Sequence, residues 1–190
     1  MREVELKAVV EDAAGKQRLL ELAGATLLFE GILQDRRYDT EAGALADKDE
    51  VIRVRTYSGK PASTVQFDWK GPTDTSTGYK VREEISIDVS NGASLATILD
   101  KLGFIVVREI DRRIAQYAVD GATVRFEVYP RMDTLVEVEG DPEAIERVIE
   151  LLRMSRGEFS SEALTAFVAR FERRTGVRAA TSDRELGGRY

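Results

Sequence analysis

Cysteine and histidine are both absent from the 190-residue chain. Their absence removes disulfides, thiolate zinc sites, cysteine nucleophiles, Ser-His-Asp triads and imidazole ligands, leaving carboxylates, Lys, Arg and Tyr as the available chemistry. Any metal must then be oxygen-liganded, which selects magnesium, manganese or calcium. No apolar run approaches the ~20 residues that a membrane span needs, and the N-terminus lacks a signal-peptide core. The expectation is a soluble, cytoplasmic protein with no membrane partner. Basic charge is also short: 28 Lys and Arg stand against 34 Asp and Glu, a net charge of -6, which argues against nucleic acid as a partner. What the chain does have is 43% hydrophobic residues, enough for the core of one ordinary domain.

The hydrophobic residues are placed with a period of two. Glu3, Glu5 and Lys7 share one side of an N-terminal strand while Val4, Leu6 and Ala8 share the other, because successive strand residues point to opposite faces. A helix is expected over Glu11 to Ala23, stopped at Gly24, then a long strand from Thr26 to Tyr38 and a loop from Thr40 to Glu50. Strands follow at Val51 to Tyr57, Thr64 to Lys70 and Tyr79 to Val89, then a short helix from Ser94 to Leu102 with Ser94 near its cap. Phe104 to Tyr117 reads as strand, Asp120-Gly121 as a two-residue hairpin turn, and Thr123 to Tyr129 and Thr134 to Gly140 as the last strands. From Asp141 the period changes to that of helices, one beginning at Asp141-Pro142 and a second near Ser160-Ser161 that ends at Gly176. The domain is expected over residues 1–175, with 176–190 a mobile tail.

At least six of these strands alternate apolar residues with charges of both signs. In an open sheet such faces meet water. If about eight strands close into an antiparallel barrel, the charged faces converge on an interior wide enough for one small ligand, and the apolar faces pack outward under the helices. That gives an α+β fold: an eight-stranded antiparallel closed β-barrel, a tunnel with surrounding and C-terminal helices. Its lumen would hold Glu3, Glu5, Glu84, Glu127, Glu137 and Glu139 against Lys7, Arg53, Arg55, Lys70, Arg82 and Arg112. Buried ions without partners cost several kcal/mol each. A polyphosphate with Mg2+ or Mn2+ would pair both sets, phosphate oxygens on the cations and metal on the glutamates.

The same residues resemble the CYTH superfamily of triphosphate tunnel metalloenzymes. Glu3-Val4-Glu5-Leu6-Lys7 is similar to its Glu-x-Glu-x-Lys signature, and Tyr38-Asp39, Asp49-Glu50-Val51-Ile52-Arg53-Val54-Arg55, Lys70-Gly71-Pro72, Arg82-Glu83-Glu84, Leu102-Gly103-Phe104 and Leu135-Val136-Glu137-Val138-Glu139 continue the likeness in order. The resemblance implies a closed tunnel that binds a triphosphate and divalent metal. Carried over by position, Glu3, Glu5, Glu127, Glu137 and Glu139 are metal candidates, and Lys7, Arg53, Arg55, Lys70, Arg82 and Arg112 are phosphate contacts. Lys7 and Glu84 are the catalytic candidates, Glu84 serving either the metal or the positioning of a base.

Four departures stand out. Glu127 replaces a common Asp; Arg112-Arg113-Ile114 replaces Lys-x-Arg, so the second cation is either missing or supplied by Arg113 or Arg108 in a shifted register; Met132-Asp133 replaces Leu-Gly; and Asp68 shares a face with Lys70, where it could mute that lysine. Among the family's activities, the spacing of Lys48-Asp49-Glu50, Lys70-Gly71-Pro72 and Arg82-Glu83-Glu84 is most similar to class IV adenylyl cyclase, which makes cyclic AMP and pyrophosphate from ATP. The alternative is a triphosphatase acting on inorganic, thiamine or nucleoside triphosphate, and the third reading a non-catalytic polyphosphate-binding module. The expected partner is thus a triphosphate small molecule; the apolar C-terminal helices either cap the barrel or pair two subunits as a homodimer.

Overall fold

In a computed structural model that describes residues 2–189, eight strands are interspersed with helices along the chain. They are β1 (Arg2–Val9), β2 (Thr26–Thr40), β3 (Val51–Lys60), β4 (Thr64–Lys70), β5 (Lys80–Asp88), β6 (Phe104–Val119), β7 (Ala122–Val128) and β8 (Leu135–Gly140). All pair antiparallel and close a barrel in the order β1-β5-β4-β3-β2-β6-β7-β8. This is the expected α+β tunnel. β2 to β5 form one meander and β6 to β8 another; β2 against β6, and β1 between β5 and β8, are the long-range pairings that seal it.

Turn chemistry sets the local boundaries. Asp120 and Gly121 take φ of 49° and 79° between β6 and β7, the left-handed pair that a two-residue hairpin requires. Gly31 and Gly59 face each other between β2 and β3; a Cβ on Gly31 would lie 2.4 Å from the Ser58 carbonyl oxygen, so only glycine permits that approach.

The helices are α1 (Ala13–Leu22), α2 (Gly92–Lys101), α3 (Pro142–Leu151), α4 (Leu164–Thr175) and α5 (Asp183–Leu186). α2 starts earlier than Ser94 suggests: Asn91 is its cap and accepts the Ser94 N–H, which leaves Ser94 in the first turn. α4 starts later than Ser160-Ser161. Ser160 exchanges two backbone hydrogen bonds with Lys7, so this segment runs extended and covers the edge of β1 beyond its pairing with β5.

The main core lies outside the barrel. Leu6, Ala8, Val124, Phe126, Val136 and Val138 point outward and pack with Leu20 of α1 and Ile145, Val148 and Ile149 of α3. Each of these side chains larger than alanine contributes roughly 1.5–3 kcal/mol by leaving water. A second layer sets Leu95 and Leu99 of α2 over Tyr38, Val54 and Phe67. Two apolar groups point inward at opposite ends: Ile110, Tyr129 and Leu135 meet Phe167 and Leu164 of α4, while Leu33 and Ile114 meet Phe29 and Tyr57. The apolar stripe of α3 packs on the barrel wall, and Leu164 and Phe167 of α4 pack at one mouth.

The expected mobile tail is docked over its described part. Thr181 and Ser182 are buried, Ala180 pairs with Arg131, and the Asp111 N–H donates to the Thr181 carbonyl. The polar sequence hid this because the docking uses backbone groups and Asp111, which accepts from the Asp183 N–H. Tyr190, the last residue of that expected tail, lies outside the described residues. No helix among the described residues is long and apolar enough to cross a membrane.

Candidate active site

The charged stripes of the eight strands meet in the lumen, sorted by wall. β1 and β8 contribute Glu3, Glu5, Glu137 and Glu139, with Glu5 opposite Glu139 and Lys7 opposite Glu137 in register. On the other side, β2, β3 and β6 contribute Asp35, Arg37, Arg53, Arg55, Arg108 and Arg112, with Arg37 opposite both Arg53 and Arg108. A cavity of about 400 Å3 opens at the α4 end between these walls, and Arg37, Arg53, Arg108, Glu5 and Lys80 are among its lining residues. Glu3, Arg55 and Arg125 also line a cavity at the other mouth, with Tyr57, Gln66 and Gln116.

Ion pairs connect the walls. Lys70 Nζ lies 2.6 Å from Glu3 and 2.7 Å from Glu84. Lys7 contacts Glu5 at 2.9 Å and also pairs with Glu137, and Lys80 donates a second bond to Glu5. Asp35 is the anionic centre of the basic wall: it accepts two bonds from Arg55, at 2.7 and 2.9 Å, and one from Arg112 at 3.1 Å, with Arg53 at 3.7 Å. Glu127 accepts from Arg112 at 2.8 Å and from the Tyr129 hydroxyl at 2.6 Å.

These contacts set the titration of the site. Burial opposes ionisation of Glu5 and Asp35, but Lys7, Lys80 and Lys70 around Glu5, and Arg55, Arg112 and Arg53 around Asp35, hold both well below the carboxylate range. Glu127 is buried too, and Arg112 and Arg125 draw it down to about 2. Two groups go the other way. Burial and the nearby Glu3 raise Glu139; burial with Arg53 and Arg108 lowers Arg37 to about 10. Like charges disfavour the charged form of each.

Every residue anticipated for the site, from Glu3 to Glu139, projects from a barrel strand, and all of them but Glu84 and Glu139 line the α4-end cavity. Glu84 and Glu139 sit at the other mouth. Arg82 lines the cavity too, and its guanidinium donates to the Gly71 and Asp49 carbonyls, tying the loop after β4 to the loop before β3. Asp68 does not mute Lys70: it accepts from Arg53 Nε at 2.7 Å. Of the two candidates for the second cation, Arg113 is on the exposed face and Arg108 lines the cavity.

Four charged strand residues of the lining escaped the sequence reading: Asp35, Arg37, Lys80 and Arg125. Arg125 was visible in phase with Glu127, and it pairs across the register with Glu137. Asp35 and Arg37 share a face with Leu33, but register shifts at Leu27/Phe29 and Arg37/Tyr38 blur the period of that long strand. Lys80 is opposite Glu5 only because β1 pairs with β5.

A divalent ion fits the chemistry of the acidic wall. Its donors are all oxygens, and Glu139 has no ion pair among the described residues while facing Glu5. Among the described residues no three carboxylates are gathered around one point, because Glu3 and Glu5 are turned onto lysines. Holding an ion therefore requires Glu3 or Glu5 to exchange a lysine for it.

The sequence model of the CYTH domain family matches residues 1–164. Comparison with curated proteins gives no match. Among solved structures, a Pyrococcus horikoshii OT3 protein is similar with a TM-score of 0.72 at 22% identity, over 88% of this chain and 98% of that one. A Vibrio parahaemolyticus protein provisionally described as an adenylate cyclase has a TM-score of 0.74 at 17% identity, over 88% and 97%. A Hippeastrum protein, provisionally described as an adenylyl cyclase and reported to have a dominant triphosphatase activity, has a TM-score of 0.61 at 18% identity, over 92% and 95%. At these identities the likeness is one of fold.

Proposed function

The chain belongs to the CYTH family, and on that premise we propose that it is a divalent-metal-dependent enzyme that cleaves a triphosphate inside the barrel. One observation carries this reading. The acidic wall has a carboxylate short of a cation, Glu139, and the opposite wall has arginines short of an anion, Arg37 and Arg108. A metal–triphosphate complex supplies both counterions at once.

Glu3, Glu5, Glu137 and Glu139 are the residues to hold Mg2+ or Mn2+, with Glu127 behind them bonded to Tyr129. When bound, the ion neutralises phosphate charge and polarises the phosphorus under attack. Arg53, Arg55, Lys70 and Arg112 bind phosphate oxygens, and Lys7, already between Glu5 and Glu137, bridges metal ligands and phosphate. Asp35 holds Arg55 and Arg112 in fixed orientation before substrate arrives, so little reorganisation is needed as charge develops.

The first reading of the reaction is cyclisation of ATP. The ribose 3'-oxygen, losing its proton, bonds to the α-phosphorus, and the bond from that phosphorus to the bridging oxygen breaks to release pyrophosphate. The far mouth supports an organic group there: Gln116 Oε1 is a buried acceptor with no partner, beside Tyr57 and Gln66, a set suited to a base bearing N–H donors. Hydrolysis is the second reading, favoured by the α4 mouth, where Tyr129 is turned to Glu127 and Arg112 and charged groups dominate. The test is product analysis of ATP and inorganic tripolyphosphate with Mg2+ or Mn2+. Cyclic AMP supports the first reading, orthophosphate the second, and tight binding without turnover reduces the protein to a polyphosphate-binding module.

A further inference from the structure

The arginines of the lumen are not equally satisfied. Arg53, Arg55, Arg112 and Arg125 each pair with a carboxylate. Arg37 and Arg108 form no ion pair among the described residues, and Arg37 Nε is buried without a hydrogen-bond partner. They are not remote from each other: the register aligns Arg53, Arg37 and Arg108 as a row across β3, β2 and β6. Directly opposed residues in a sheet have Cβ atoms about 4.5–5.5 Å apart, and like charges there are destabilising. A row that costs stability and borders a cavity is accounted for by a ligand that neutralises it.

The rim facing this row carries further donors. Residues Ser161 to Thr165 line the same cavity, and they include the start of α4. Its cap, Ala163, offers no side-chain oxygen to the first-turn N–H groups, whereas α1, α2 and α5 are capped by Asp12, Asn91 and Ser182. The one carboxylate on that rim, Glu162, is drawn away onto Arg170 and Ser160. The Ala166 N–H bonds back to the Ala163 carbonyl, which leaves the Leu164 and Thr165 N–H groups, at the positive end of the helix dipole, to favour an anion.

Building on the triphosphate reading above, we infer that Arg37, Arg108 and the first turn of α4 form an additional anion subsite that receives the terminal, unesterified phosphoryl group. The subsite gives the substrate a direction. Its phosphate end lies at the α4 mouth, and any organic group is left at the mouth lined by Tyr57, Gln66 and Gln116.

The test is calorimetric binding of inorganic tripolyphosphate to the full chain in EDTA, which needs no turnover. Arg37→Gln and Arg108→Gln are expected to weaken binding roughly tenfold to hundredfold each, as for loss of a charge-assisted hydrogen bond. In the absence of ligand the same variants are expected to melt at the wild-type temperature or higher, since each relieves like-charge repulsion; a merely structural arginine would lower it. Methylation of tripolyphosphate at both ends is expected to weaken binding to the wild type but not further in Arg37→Gln. Binding that both variants leave within twofold overturns the subsite alone. No binding of tripolyphosphate by the wild type in EDTA overturns the subsite, and no binding with Mn2+ added as well overturns the triphosphate reading with it.

Discussion

The two walls of the lumen are built from the same alternating strands, yet they solve opposite electrostatic problems. On the β1–β8 wall, lysines satisfy Glu3 and Glu5, and Glu139 is the carboxylate left over. On the β2–β3–β6 wall, buried Asp35 serves Arg53, Arg55 and Arg112, and Arg37 and Arg108 are the cations left over. The pairs that exist join the strands of the barrel; the groups without an ion pair are those that the proposed ligand would neutralise. Each wall is incomplete in the sense that the other cannot repair, because the paired side chains between them are already committed.

Removing the shared anion tests the basic wall most severely. Asp35→Ala leaves three buried guanidiniums without their common partner and is expected to destabilise the fold by about 3–5 kcal/mol in urea titration; added tripolyphosphate should recover part of this. A loss below about 1 kcal/mol would show that the wall is solvated rather than paired. Acid tests the link between walls. Glu127 titrates near 2 when folded, below its ordinary value of 4.5, so its contribution is fully present above about pH 4.5 and disappears as the pH falls towards 2. The shift corresponds to roughly 3 kcal/mol, and Glu127→Gln should flatten the stability profile over that window.

The acidic wall is probed by Glu5→Gln, expected to cut turnover with Mn2+ by about a hundredfold or more through loss of a metal oxygen. Full activity in this variant would sink both reaction schemes together. The smallest and most diagnostic change is Glu139→Gln. Its folded pKa is raised, so the ionised carboxylate costs stability above its unfolded pKa, and the neutral amide removes that cost. The metal-free protein should melt a few degrees higher near pH 7, a gain of about 1 kcal/mol, while Mn2+ binding weakens roughly tenfold to hundredfold. A lowered melting temperature would mean that Glu139 already has a cation partner.

Much of the barrel could be read from alternation alone. The strand from Thr64 to Lys70 has the bounds expected of it, since Gly71-Pro72 ends the period sharply. Asp120-Gly121 turns as its residues require. Errors came where a distant segment overrode a local preference. Ser160 has the chemistry of a helix cap but bonds the backbone of Lys7; the polar stretch 177–189 docks through Asp111 and Arg131. In the site, Arg125 was legible from its phase with Glu127, whereas Arg37 was obscured by the register shift beside it.

The order of residues along the chain dictates which side chains share a face, because strand geometry is local and has a period of two. From that follow the charged interior, the apolar exterior under the helices, and a site of carboxylates and cations without Cys or His. Which carboxylate meets which cation is another matter. Glu5 reaches Lys80, Arg112 reaches Asp35, and Arg37 forms no ion pair among the described residues because of register between strands far apart in sequence. Pairing across a closed barrel is a non-local property, and the partners that are missing exist only once it has closed.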